Sequence, residues 1–381
     1  MTRSVYDNDI LRALREQVRR FIDKEVAPHG EAWERDGMVP RDVLGKMGEL
    51  GLFGIRYPER FGGSELDTLA TAVFAETLSH STFAGFNVTV LVHTDMASPH
   101  IARYGTPAQL ERYMPGIVTG ELITAVGVTE SGGGSDVAAL RTRAERSGNG
   151  WVLNGSKTFI TNGVHADVLV VAARTDPQAK GSRGMSMFLL DRDTPGFSVG
   201  RSLDKMGWRC SDTAELVFED CHLPADALLG EENQGFYAIM RNFQNERIVI
   251  GAMAVGESQK AIDITLDYVK QREAFGATLW DKQAIRQRLA MAQAEVEAAR
   301  ALVYHAAWLD AAGEDATAEV SMVKALCGEL VNRVMYTCQQ FHGGYGYMRE
   351  YPIERMVRDA RILSVGGGAT EVMLEEVAKR M

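Results

Sequence analysis

The sequence predicts an α+β protein, mostly helical, in which a small β domain separates two helical parts. Three observations predict it. Apolar residues recur every three or four positions over the first ~120 residues. That period gives way to short strand-like runs between Leu122 and Leu228. From Asn233 onward the helical period returns in long stretches. The expected divisions are 1–121, 122–232 and 233–381.

In the first part, Leu11, Leu14, Val18, Phe21, Ile22 and Val26 form one apolar stripe. Pro28 closes it, because proline lacks an N–H and clashes with the preceding turn. Further helices are expected around 41–51, 66–80, 85–104 and 107–118, with Tyr57 to Gly63 as a loop. In the middle part, Asn154-Gly155 stands between Trp151-Val152-Leu153 and Lys157-Thr158-Phe159-Ile160. An Asn-Gly pair so placed predicts a hairpin turn, since both turn positions need positive φ. Val168 to Val171, Met185 to Leu190 and Leu216 to Phe218 are further strands. The last part predicts helices over 234–271, 281–312, 316–341 and 369–380. Long helices with short connections predict an antiparallel bundle.

At 381 residues, 45% hydrophobic and 24% charged, the chain can bury a core without staples. A net charge of −10 argues against nucleic acid as partner. Cys210, Cys221, Cys327 and Cys338 form no CxxC pair, and the eight histidines show no ligand spacing. Buried thiols in a reducing compartment, and no metal, are therefore expected. Charges interrupt the N-terminal MTRSVYDNDILRALRE, so no signal peptide is expected. The apolar stretch from Ile248 to Gly256 falls far short of the ~20 residues of a membrane span. A bacterial cytoplasmic protein is expected.

Four stretches carry chemistry. Val128-Thr129-Glu130-Ser131-Gly132-Gly133-Gly134-Ser135 offers hydroxyls and a backbone that a ligand can approach closely. It matches neither a Walker loop nor G-x-G-x-x-G, and it reads equally as a surface loop. Phe159-Ile160-Thr161-Asn162-Gly163 reads as a strand end and turn, or as a hydroxyl held beside a planar cofactor. Glu246, in a helix, has Ile239, Asn242, Phe243, Val249, Ile250 and Met253 as neighbours and no Lys or Arg three or four residues away. A carboxylate on an apolar stripe is pushed towards a neutral-range pKa, which suits a general base, although a surface Glu flanking the core has the same pattern. Last come Gln340-Phe341-His342-Gly343-Gly344, then Arg358-Asp359-Ala360-Arg361, then Gly366-Gly367-Gly368-Ala369-Thr370-Glu371. Glycine turns opening a helix present free N–H groups to an anion, or simply connect helices.

Taken in order, with Arg272-Glu273-Ala274-Phe275-Gly276 between them, these motifs resemble the acyl-CoA dehydrogenase family. The likeness is strongest to the long-chain and isovaleryl types. It implies an N-terminal helical domain, a middle β domain and a C-terminal four-helix bundle. It implies FAD as cofactor, held by Val128, Thr129, Gly134, Ser135, Phe159 and Thr161. Arg272, Phe275, Gln283 and Gln340, Phe341, His342, Gly343 and Gly344 would reach the FAD of a neighbouring subunit, with Thr370 and Glu371 also near FAD. Ser135, Gln244, Asn245, Arg247, Gly366 and Gly367 would serve the substrate.

Many members carry their base just after Arg-Asp-Ala-Arg, where this chain has Gly367. The long-chain and isovaleryl types place it on a bundle helix before an Arg, and Glu246-Arg247 fits that pattern. The resemblance thus implies acyl-CoA dehydrogenation with Glu246 as base, an electron-transfer flavoprotein as acceptor, and a homotetramer or dimer. An acyl-CoA oxidase, an enoyl-CoA reductase on the same scaffold, and a non-catalytic acyl-CoA-binding protein are the alternatives.

Overall fold

The computed structural model describes residues 5–381; Met1 to Ser4, part of the charged N-terminal run, lie outside the described residues. The first part is helical: α1 (Asp9–Phe21), α2 (Gly30–Asp36), α3 (Arg41–Glu49), α4 (Thr68–Leu78), α5 (Ala84–Leu91), α6 (Ser98–Tyr104) and α7 (Pro107–Thr119). The Asn8 side chain caps α1 by accepting from the Leu11 N–H at 2.9 Å. A capping box of Thr106 and Gln109, with Pro107 at the first position, starts α7. Between α5 and α6 the helix widens into a π turn, Val92–Ala97. The apolar periods gave no sign of α2 and α11 (Pro352–Ala360), because α2 buries only Gly30 and Trp33 and the buried face of α11 carries the charged Arg355 and Asp359.

The middle part is an eight-stranded sheet. Its strands are β1 (Thr124–Gly127), β2 (Arg143–Ser147), β3 (Gly150–Thr161), β4 (Val168–Arg174), β5 (Met185–Asp191), β6 (Phe197–Ser202), β7 (Thr213–Leu223) and β8 (Leu228–Leu229). The order is β6-β7-β3-β2-β4-β5-β8, with β1 parallel to β4. The Asn154-Gly155 turn is not there: β3 runs unbroken through both residues. The hairpin turns instead at Gly148-Asn149, where Ser147 pairs with Gly150. Gly155 makes a bulge, shifting the register of β3 against β7 between Leu153 and Gly155. Its φ is +145°, and a Cβ there would stand 2.7 Å from Thr142. Asn154 bonds across to Asp220, donating from Nδ2 at 3.1 Å. Close approach of β2, not chain reversal, requires this glycine.

The last part opens with α8 (Gly235–Gln271), 37 residues and about 55 Å long. A short hairpin, β9 (Glu273–Ala274) with β10 (Ala277–Thr278), follows it. Then come α9 (Gln283–Ala311), α10 (Thr317–His342), α11 and α12 (Thr370–Ala378). Ile248 to Ser258 are buried on every side, so this stretch of α8 is the central rod of the bundle. It packs on α10, α9 and α4, joining the two helical parts in one core. All four cysteines are buried free thiols.

Candidate active site

Glu246 projects from α8 between buried Ile239, Ile250 and Met253. It is part-buried, and burial pushes its carboxyl up to about 7 against the pull of Arg247 and Lys324. One turn further along the same face, Ile250 meets the turn that carries Gly366, Gly367 and Gly368. Ile250 Cδ1 lies 2.4 Å from where a Gly367 Cβ would stand, and Arg247 Nε 3.5 Å from the same point on Gly368. Gly367 has φ +68°. Among the described residues its N–H has no backbone acceptor. Arg247 lies over the Phe243 ring at 5.5 Å, with its Nε buried and unpaired.

Lys324 comes to this centre from α10 and is fully buried. Its Nζ donates to the carbonyls of Leu363 at 2.7 Å and Gly368 at 2.8 Å. Burial and the nearby Arg247 pull its ammonium down to about 8. The sequence reading gave this residue no part, because its contacts come from segments roughly 40 to 80 residues away in the chain.

Gln244 and Asn245 are not brought to this centre. Gln244 donates to the Thr317 hydroxyl at 2.9 Å. Asn245 is buried and donates to the Asp95 carbonyl at 2.9 Å. Asn242 donates to the next carbonyl, Met96, at 3.0 Å. Pro99 has no N–H to offer the Asp95 carbonyl four residues before it, and the Asn245 amide fills that place. The signal missed was Asn at i and i+3 on one helix face.

The β domain supplies a second group. Lys157, buried, donates to the Val128 carbonyl at 3.1 Å and Glu130 Oε1 at 2.7 Å. Burial lowers its ammonium to about 8 despite Glu130. The Thr158 N–H donates to the Thr129 carbonyl at 2.9 Å, and a Cβ on Gly134 would reach Thr129 at 3.5 Å. These contacts hold the 128–135 loop beside Phe159 and Thr161 at the end of β3. Ser135 is exposed on that loop. Phe159 sits at φ +60° and is 69% exposed, an apolar side chain held bare on an unfavourable backbone. Val128 shares an apolar cluster with Ile239 and Phe243, so this face meets the helix that bears Glu246.

A third group stands apart. Tyr268, Arg272 and Gln340 to Tyr345 line a cavity of about 670 Å³. His342 is buried, bonds the Cys338 carbonyl through Nδ1 at 2.8 Å and stacks on Tyr268 at 4.3 Å. Arg272 lies over the Tyr345 ring at 5.6 Å. Phe275, at φ +55°, is 98% exposed on the β9–β10 turn, and Gln283 is exposed at the start of α9. Tyr268 is 22 residues beyond Glu246 on one helix, about 33 Å away. Thr370 opens α12, its hydroxyl 2.7 Å from Glu329, with Glu371 exposed beside it.

The residues fit FAD. Aromatic rings at Phe159 and Phe275 stand bare on unfavourable backbone, as a planar partner would require. Gly343 and Gly344 have nothing within 4 Å of a would-be Cβ, leaving room for a ligand against the backbone. Among the described residues no group of His, Cys, Asp or Glu could hold a metal ion.

Comparison with known proteins covers the whole architecture. The family models described as acyl-CoA dehydrogenase N-terminal, middle and C-terminal domains match residues 8–121, 125–221 and 233–381. The chain is 43% identical over 368 residues to the mitochondrial long-chain specific acyl-CoA dehydrogenase of Mus musculus, covering 96% of this chain and 85% of the relative. The crystal structure of a probable acyl-CoA dehydrogenase from Mycobacterium abscessus superposes with a TM-score of 0.95 at 44% identity, over 99% of this chain and all of that one. PigA, solved with FAD and proline, gives a TM-score of 0.95 at 26% identity, over 99% of both chains.

Proposed function

The chain belongs to the acyl-CoA dehydrogenase family, and we propose that Glu246 is the base of its reaction. The enzyme carries out FAD-dependent α,β-dehydrogenation of an acyl-CoA thioester to the trans-2-enoyl-CoA. The observation that supports the base is the position of Glu246: on an apolar face, raised to about 7, beside a turn with a free backbone N–H. Glu246 removes the α-proton and holds it on its carboxyl. The Gly367 N–H donates to the thioester oxygen as negative charge develops there, which makes the α-proton removable. Bound FAD would supply the acceptor for the β-hydrogen and its electron pair. Arg247 steadies the charge of Glu246 and faces the CoA end.

The 128–135 loop, Phe159 and Thr161 form the flavin face in this reading, with Ser135 at the thioester entrance. Arg272, Phe275, Gln283 and the Gln340–Gly344 turn serve the FAD of a neighbouring subunit, which their distance from Glu246 supports. The assembly is then a homotetramer, or a dimer at the least. An electron-transfer flavoprotein reoxidises the flavin, and the enzyme works in cytoplasmic β-oxidation. No helix among the described residues is long and apolar enough to cross a membrane.

Anaerobic mixing of the yellow protein with a panel of acyl-CoAs tests the reading. Loss of oxidised-flavin absorbance in the wild type, and none in Glu246→Gln with FAD still bound, is the expected result. Rapid bleaching in the variant removes Glu246 from the role.

A further inference from the structure

Lys324 is among the largest fully buried side chains of the protein, yet among the described residues it forms no ion pair. Burying an ammonium without a carboxylate is costly, and a methionine of similar shape would avoid that cost. What the lysine does instead is specific. It donates to Leu363 O and Gly368 O, the two carbonyls that bracket the turn carrying Gly366 and Gly367. Its Cε passes 3.6 Å from the Cβ position of Gly367. The charged or titratable groups acting on it are Glu246 and Arg247 from α8, and Cys327 and Glu329 from its own helix. The turn opposite presents only carbonyls to it.

We infer that Lys324 is a positioning residue: it clamps the Gly366–Gly368 turn so that the Gly367 N–H is aimed at the thioester oxygen, and it sets an ammonium against the same turn that Ile250 and Arg247 of the Glu246 helix meet. The inference rests on Glu246 being the base. Two physical consequences follow. A turn bracketed by two charge-assisted bonds cannot drift, so its N–H need not reorganise when the enolate forms. And a cation near the carboxylate favours its ionised form, opposing burial. Lys324 acts on the substrate only through these two groups.

The test uses the FAD-bound enzyme and the variants Lys324→Met and Lys324→Arg. One readout is the anaerobic rate of flavin reduction by acyl-CoA across pH. The other is a 3-thia-acyl-CoA, in which sulfur replaces Cβ. It offers an acidic α-proton and no β-hydrogen, so the absorbance change on binding follows α-proton removal alone. For Lys324→Met the expected result is at least a tenfold slower reduction with little change in KM. The acid limb of both profiles should move up by about one pH unit. Lys324→Arg keeps the charge and should leave the limb in place.

A merely structural lysine would lower FAD content or the unfolding temperature and leave the limb where it was; that outcome overturns the inference. Should Lys324→Met fail to retain FAD, Lys324→Gln keeps an amide donor without the charge, and the same limb shift decides. Glu246→Gln run alongside separates the two claims. If that variant still reduces flavin, the base assignment fails. If it is inert while the lysine variants keep the wild-type limb, only the role of Lys324 fails.

Discussion

Ile250 occupies the space that a side chain on Gly367 would need: its Cδ1 stands 2.4 Å from the Cβ position there. The turn therefore presents backbone and nothing else to the centre, and the carboxylate comes from the next turn of α8, four residues before Ile250. The two positions are coupled through one methyl group.

Gly367→Ala should cost roughly 1–2 kcal/mol for a left-handed non-glycine and a further 1–3 for the overlap. Thermal unfolding of the FAD-bound enzyme measures it. Ile250→Val deletes the overlapping Cδ1, so the double variant should be more stable than the sum of the single changes predicts. Strict additivity would show that Ile250 moves aside freely.

The pH dependence of Glu246 has a definite sign. Its folded pKa of about 7 lies above the ordinary 4.5, so the native state holds more protons than the unfolded chain between those values. This group's contribution to stability is therefore full below pH 4.5 and falls as pH rises through 7. Glu246→Gln should be stabilised relative to wild type at pH 8 and not at pH 4.5, read from denaturation midpoints. The rate of α-proton removal runs the other way, falling below pH 7 as the base protonates.

Asn242 and Asn245 close the carbonyls of the π turn at Asp95 and Met96. Asn245→Ala should cost about 0.5–1.5 kcal/mol, because the Asp95 carbonyl loses the nearer of its two amide donors and keeps Asn242 at 3.3 Å. Its acyl-CoA affinity should stay within about threefold of wild type, a difference of less than 1 kcal/mol. Titration of the variant with a non-reactive acyl-CoA checks this; a large loss of affinity would return Asn245 to the substrate.

Arg272→Ala should affect FAD retention and assembly together, since the Arg272–Gln340 cavity lies about 33 Å along the helix from Glu246. Flavin-to-protein absorbance and light scattering after chromatography measure both. Full FAD content in a dissociated monomer would contradict a shared site.

Breaking the Lys157–Glu130 pair by Lys157→Met leaves a carboxylate in the 128–135 loop without its cation. The expected cost is about 3–5 kcal/mol, with weaker FAD binding, because the pair fixes the Val128 carbonyl. Calorimetry of FAD binding to the apoprotein provides the check.

The helix–sheet–helix order, the ordered motifs that mark the family, and Glu246 as a carboxylate on an apolar face were all legible in the chain before folding. Those properties are local: periodicity and short spacing encode them, and the folded chain keeps them. That Asn154-Gly155 is a bulge emerged only with the folded sheet, since Asn-Gly serves equally a turn or a close strand approach, and Thr142 settles which. The tertiary structure alone brought Lys324 under the Gly367 turn, from about 40 residues away in the chain. It also gave Asn245 a partner in the Asp95 carbonyl, because a 100° step along a helix sends neighbouring residues to different partners.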